Sequence, residues 1–195
     1  MLLGPLAPVS DIALPVQLML AVSERHPTVV AVADGLGGHN AGEVASGLAL
    51  EVLIEKMQSV PESWPIEKRL RRAVQEANLR IYNKSTTVPE LRRMGTTLTA
   101  TVLAGVRLVA AHIGDCRLYL ARGGALAQLT KDHTWVGEQV RHGVLSPEEA
   151  RAHPKRHVLS RSLGSALIVG IDMLTMDIRP GDVLAQVSDG IHELV

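Results

Sequence analysis

Residues 28–33 read Thr-Val-Val-Ala-Val-Ala, a β-branched, apolar run that stops at Asp34-Gly35. A short run of that kind, closed by a turn signal, predicts a buried strand feeding a loop. Over 42–58 the period becomes helical, with Leu50, Leu53, Ile54 and Met57 on one face. A second helix is predicted over 66–82, with Ile66, Leu70, Ala73, Ala77 and Ile81 inward and charges opposite. After residue 95 the period drops to two. Thr97, Thr99 and Thr101 alternate with Leu98, Ala100 and Val102, which predicts a half-buried strand. Gly105, Gly114-Asp115 and Gly123-Gly124 punctuate further strand-like runs at hairpin spacing. Residues 132–142 look helical, Pro147 opens another short helix, and 153–165 looks irregular. Strands return over 169–178 and 182–187, separated by the turn signal Pro180-Gly181.

Helices set among antiparallel strands predict an α+β fold. No internal repeat or linker composition marks a boundary, so residues 1–195 are expected to form a single domain. A polar excursion over 131–165 interrupts the strands, and such excursions serve either function or surface decoration.

Composition narrows the function classes. Hydrophobic residues make up 46% of the 195, enough for a sizeable core, but aromatics are 2% and Phe is absent. The interior must therefore be packed by Leu, Val, Ile and Ala, and the composition argues against an aromatic platform for stacking bases. Twenty Lys plus Arg balance 20 Asp plus Glu, so no overall field favours nucleic acid or an acidic membrane. The lone cysteine, Cys116, forms no internal disulfide and builds no zinc framework, which fits a reducing cytoplasm. The apolar start is broken by Pro5, Pro8, Asp11 and Pro15, lacks a basic leader and is too short to span a bilayer. A cytoplasmic protein with no membrane segment is expected.

Three apolar runs end in an aspartate beside a glycine: Asp34-Gly35, Gly114-Asp115 and Asp189-Gly190. Carboxylates and bare carbonyls are hard oxygen donors suited to Mg²⁺ or Mn²⁺. If the strand ends converge, their charges repel and a divalent cation relieves the repulsion. Asp-Gly is equally a common turn dipeptide, so spacing alone leaves turn and ligand both open. The loop over 34–43 has no G-K-[ST] and no dinucleotide spacing, although glycines before a helix can offer N–H groups to an anion. His39 in that loop is open to a general-acid, ligand or structural role.

Five strings carry a resemblance: VVAVADGLGGHNAGEVAS, MGTTLTATVL, AAHIGDCRLYLARGGALAQLTKDHTWVGEQV, LSPEEARAHPKRHVLSRSLGS and PGDVLAQVSDGIHELV. In order and spacing they resemble bacterial metal-dependent protein serine/threonine phosphatases of the PP2C type, over 28–195. That resemblance implies a sandwich of two antiparallel sheets flanked by helices. It also implies two Mn²⁺ or Mg²⁺ ions that activate a bridging water against phosphoserine or phosphothreonine. By resemblance, Asp34 bridges the metals, the Gly35 carbonyl completes one coordination sphere, and Asp189 binds the other metal. Asp115, sharing Asp189, helps hold a third, weaker metal. The excursion over 131–165 corresponds to a flap beside the active site. Phosphorylated proteins, targets of a serine/threonine kinase, are the implied partners of a monomeric enzyme that binds no nucleic acid.

Two features depart from the family pattern. Members begin with an Arg and an Asn-Glu-Asp-like motif, whereas here the first Arg is Arg25 and Asp11 is a candidate remnant. Members also continue past the Ser188-Asp189-Gly190 position to a further metal-binding Asp-Asn, so a C-terminally shortened chain is expected. A catalytically impaired phosphoprotein-binding relative is the alternative to an active phosphatase. Leu36 stands where eukaryotic relatives carry a histidine, which leaves leaving-group protonation to water.

Overall fold

The computed structural model describes residues 16–21, 27–37 and 40–192. Strands β1 (Val16–Ala21), β2 (Thr28–Leu36), β3 (Gly95–Thr96), β4 (Leu98–Ala104), β5 (Arg107–Ile113) and β8 (Asp172–Asp177) form one antiparallel sheet. Its order is β1-β2-β4-β5-β8, with β3 paired to the end of β2. A second, three-stranded sheet has the order β7-β6-β9, from β6 (Arg117–Arg122), β7 (Ala125–Gln128) and β9 (Val183–Val187).

Strand alternation assigns the two faces of the large sheet. Val29, Ala31 and Ala33, then Leu98, Ala100 and Val102, then Val109, Ala111 and Ile113, meet helices α1 (Ala41–Ser59) and α2 (Ile66–Thr87). The opposite face of β5 turns Leu108 and Ala110 onto Leu118 of the small sheet. Helix α1 buries Leu50, Leu53 and Met57, and α2 buries Leu70, Ala73, Ala77 and Ile81, on the faces their spacing predicts. Each fully buried Leu stabilises the fold by about 1.5–3 kcal/mol. Alanine is abundant on both sides of this interface, which lets backbone layers approach closely without aromatic filler.

Four expectations are corrected. Helix α2 runs to Thr87, past the expected end at 82, because Ser85 is buried with its hydroxyl donating to Tyr82 O at 2.8 Å. The Thr86 and Thr87 hydroxyls also bond back to earlier carbonyls, at 2.9 and 2.8 Å, before Pro89 follows. Strand β4 is buried on both faces rather than one: Thr99 and Thr101, like Thr97 just before the strand, are at most 2% exposed, and Thr99 O accepts from Gln186 of the second sheet. Strands β5 and β6 do not form a hairpin. At Gly114-Asp115 the chain leaves the large sheet for the small one, and β8 and β9 follow the same division. The fourth correction concerns β2, which continues through Asp34-Gly35 to Leu36.

The excursion is compact. Helix α3 (Trp135–Arg141) starts at Thr134, whose hydroxyl accepts from the Gly137 N–H at 3.0 Å. Helix α4 (Pro147–Ala152) carries a capping box: Ser146 Oγ accepts from Glu149 N–H, and Glu149 accepts from Ser146 N–H at 2.8 Å. Among the described residues, no helix is long and apolar enough to cross a membrane.

Candidate active site

Asp34 is held by its backbone. Its N–H donates to Thr97 Oγ1 at 3.0 Å, and its carbonyl accepts from the Thr97 N–H at 2.9 Å and the Thr96 hydroxyl at 2.8 Å. Beyond it, Gly35 and Leu36 pair with Thr96 and Gly95, which is why the strand does not stop at the aspartate. A Cβ on Gly35 would overlap the Gly42 carbonyl, so the glycine lets β2 lie against the first turn of α1. The close approach it permits is therefore to the protein's own backbone.

Asp115 stands at the turn between sheets. Gly114 before it has φ +105°, and a side chain there would collide with Thr97. His133 clasps that glycine from both sides: its N–H donates to Gly114 O at 2.8 Å, and its Nδ1 accepts from the Gly114 N–H at 3.1 Å. Asp189 opens α5 (Asp189–His192), directly after Ser188 at the end of β9. One carboxylate thus comes from each sheet and one from the crossing between them.

The three carboxyls lie close enough to act on one another electrostatically. Burial, then a hydrogen bond with Asp189 and its charge, then the charge of Asp115 hold the Asp34 carboxyl well above the usual carboxylate range. Burial first, then Asp189 and Asp132, push Asp115 up to about 6, against a smaller pull from Arg117. Among the described residues, no three His, Cys, Asp or Glu side chains close into a metal cage. Asp34 and Asp189 come within side-chain hydrogen-bonding reach and Asp115 faces them through its charge, so as hard oxygen donors under mutual repulsion they suit a small divalent cation.

A second tier of groups, given no role at the site by the sequence, holds this arrangement. Thr97 Oγ1 lies 3.0 Å from Cys116 Sγ, and the Thr99 hydroxyl lies 2.9 Å from His112 Nδ1. His112 Nε2 faces the Lys131 carbonyl at 3.0 Å, an acceptor only, so Nε2 carries the proton and Nδ1 accepts. The His112 and His133 rings pack 4.7 Å apart. Burial lowers both histidines, His112 to about 4. His133 Nε2 points off-line at Asp172 Oδ2, 3.2 Å away, and Asp172 also accepts from Arg161 at 2.9 Å. A histidine inside an otherwise apolar strand, as in Val-Ala-Ala-His-Ile, was the available signal for this tier. Beside Asp115, Arg117 grips Asp132 with a two-pronged pair, closest at 2.7 Å, and Gln128 donates to the same carboxylate at 3.0 Å. Burial opposes the Arg117 charge, but Asp132 and Tyr119 outweigh it and raise the guanidinium further above its usual range.

Residues 17–195 match the family model described as Protein phosphatase 2C. The chain belongs to the protein phosphatase 2C family. It is 38% identical over 170 residues to the serine/threonine phosphatase Stp of Listeria welshimeri, covering 86% of this chain and 68% of that relative. The crystal structure of the Mycobacterium tuberculosis serine/threonine phosphatase PstP/Ppp superposes with a TM-score of 0.82 at 36% identity, over 96% of this chain and 77% of that one. The catalytic domain of PstP in complex with two manganese ions gives a TM-score of 0.78 at 34% identity, over 98% of this chain and 77% of that one. The expected fold class holds: two antiparallel sheets flanked by helices.

For a PP2C-type phosphatase the remaining candidates sort as follows. Metal-dependent phosphoester chemistry is the family's activity, and the carboxyl cluster supplies the donor type that manganese requires. Cys116 is fully buried and its thiol is pushed up to about 12 by burial, so it is no nucleophile. Asp11, Arg25 and His39 lie outside the described residues.

Proposed function

We propose that this site hydrolyses phosphoserine and phosphothreonine esters on proteins, with Asp34, the Gly35 carbonyl, Asp115 and Asp189 as its metal-holding groups. The observation that carries the reading is the convergence of three carboxyls, from within β2, from the crossing after β5 and from the start of α5, at the seam between the sheets. These groups would hold two Mn²⁺ or Mg²⁺ ions, with a third more weakly held, which would supply Lewis acidity for phosphoester hydrolysis at neutral pH. Thr96 and Thr97 fix the Asp34 backbone, which sets the position from which its carboxylate reaches the site. Asp189 and Asp115 supply charge from the small-sheet side. The carboxylates bring fewer negative charges than two dications bring positive, so the loaded site attracts a phosphate dianion. No side-chain nucleophile is needed, in keeping with the inert Cys116. Residues 1–195 act as one catalytic domain with the segment 131–165 as its flap. The partners are phosphorylated targets of a serine/threonine kinase, met by a monomer in the cytoplasm.

The test is phosphate release from a phosphothreonine peptide by the purified chain, with Mn²⁺ and with EDTA. Release that requires Mn²⁺ and falls to background in Asp34→Asn supports the proposal. A folded chain that binds Mn²⁺ and phosphopeptide but releases nothing would instead support the catalytically impaired alternative.

A further inference from the structure

Beside the carboxyl cluster lies a groove of about 1070 Å³ between the small sheet and the segment carrying α3 and α4. Asp115 is part of its lining, so the groove is continuous with the candidate active site. Small-ligand clefts run to roughly 300–1,000 Å³, so this one is large enough for a chain segment rather than a phosphoester alone. Its floor is apolar, with Leu126, Val136 and Val187 among the lining side chains.

The charge of the groove is uneven. Of its lining acids, Asp132 is committed to Arg117 at 2.7 Å, and Asp115 belongs to the carboxyl cluster. Three further arginines line it: Arg141, Arg151 and Arg156. Arg141 donates to the Asp132 backbone carbonyl at 3.0 Å and reaches the Glu138 carboxylate only at 3.8 Å. Glu149, beside Arg151 in sequence, is turned to the Ser146 N–H in the α4 capping box. Among the described residues, no carboxylate pairs with Arg151 or Arg156, and both are exposed. A guanidinium presents a planar fork matched to a carboxylate, and three of them around an apolar floor form a receptor for an acidic, partly apolar peptide.

We infer that this groove binds acidic residues flanking the phosphorylated residue of a protein substrate, with Arg141, Arg151 and Arg156 as the specificity-determining side chains. The inference rests on the phosphatase reading of the neighbouring carboxyl cluster. It adds a substrate class: phosphoproteins whose modified residue lies in an acidic segment.

The test separates binding from turnover. A labelled phosphothreonine peptide with Glu flanks and its Gln-flanked counterpart are titrated into the chain in EDTA and followed by fluorescence anisotropy. The Glu peptide is expected to bind roughly tenfold more tightly at low salt, with the preference shrinking as KCl is added. In the Arg151→Ala/Arg156→Ala double variant the preference should vanish, and in Arg156→Glu, which changes the groove charge by as much, it should fall to a similar extent. In Mn²⁺, the ratio of kcat/KM for the Glu peptide to that for p-nitrophenyl phosphate should fall in the same variants. Equal binding of the two peptides by the wild type, or a preference that survives in the double variant, overturns the inference. Charge-selective binding without turnover of any substrate would leave the groove assignment standing and defeat the phosphatase reading instead.

Discussion

The two sheets are built on different physics. The large sheet is covered by α1 and α2 through a buried apolar contact running from Val29 to Leu163. The small sheet buries little: its strand β7 is exposed throughout, and Leu126 and Val183 stand 70% and 62% open. What holds it is a small cluster around Leu108, Ala110 and Leu118, together with polar clamps. Arg122 donates to both oxygens of Asp182, at 2.8 and 2.6 Å, tying β6 to the turn before β9. Arg117 and Asp132 do the same between β6 and the start of the excursion. The carboxyl cluster sits where the two constructions meet, with Asp34 on the well-packed side and Asp189 on the clamped side. A cation bound there would therefore join the halves as well as perform chemistry.

That contrast can be broken from either side. The largest effect is expected from Leu53→Ala, in the middle of the α1 contact with the large sheet and fully buried. It should cost about 2–5 kcal/mol in urea unfolding, because lost transfer energy and a residual cavity add. A cost as small as that of Val183→Ala, expected within about 0.5 kcal/mol, would mean the large sheet is not the dominant core. Next comes Arg122→Ala. It should lower the Tm less than Leu53→Ala does, raise amide exchange in β6 and β9 selectively, and matter less in high salt. Equal loosening of β4 would show that the sheets unfold as one unit.

Most of the large-sheet half was legible in the sequence and less of the other half was. Helical spacing placed Leu50, Leu53, Leu70 and Ile81 on their faces because burial on one side of a regular element leaves a periodic trace. The same logic misread Thr97, Thr99 and Thr101. A hydroxyl facing a polar interior looks like one facing water, and only the second sheet shows the difference. The sheet switch at Gly114-Asp115 was hidden for a related reason: a glycine with positive φ serves a hairpin and a crossing alike. The three aspartates were visible as residues, but their meeting depends on which strand joins which sheet. His133 was unreadable in its role, since its hold on Gly114 spans 19 residues.

The finest comparison is between protons and cations at the seam. The Asp34 and Asp115 carboxyls have raised affinities for protons in the fold, Asp115 up to about 6 from the ordinary 3.8. Between those values the folded state holds more protons than the unfolded one, so these groups contribute stability that is lost as pH rises. The buried histidines act oppositely. Lowered from 6.5, to about 4 for His112, they make the unfolded state the better proton binder below pH 6.5, so their contribution grows as pH rises. The two trends offset each other in a wild-type melt without metal and separate in a difference measurement. In EDTA, the Tm advantage of Asp34→Asn over wild type should be small at pH 5 and larger at pH 8. With Mn²⁺, which competes with the protons on the same oxygens, the wild-type Tm gain should also be larger at pH 8, and Asp34→Asn should lose most of it. A Mn²⁺ gain of equal size at both pH values, or one kept in full by Asp34→Asn, would place the cation away from the seam and leave the two sheets joined by their polar clamps alone.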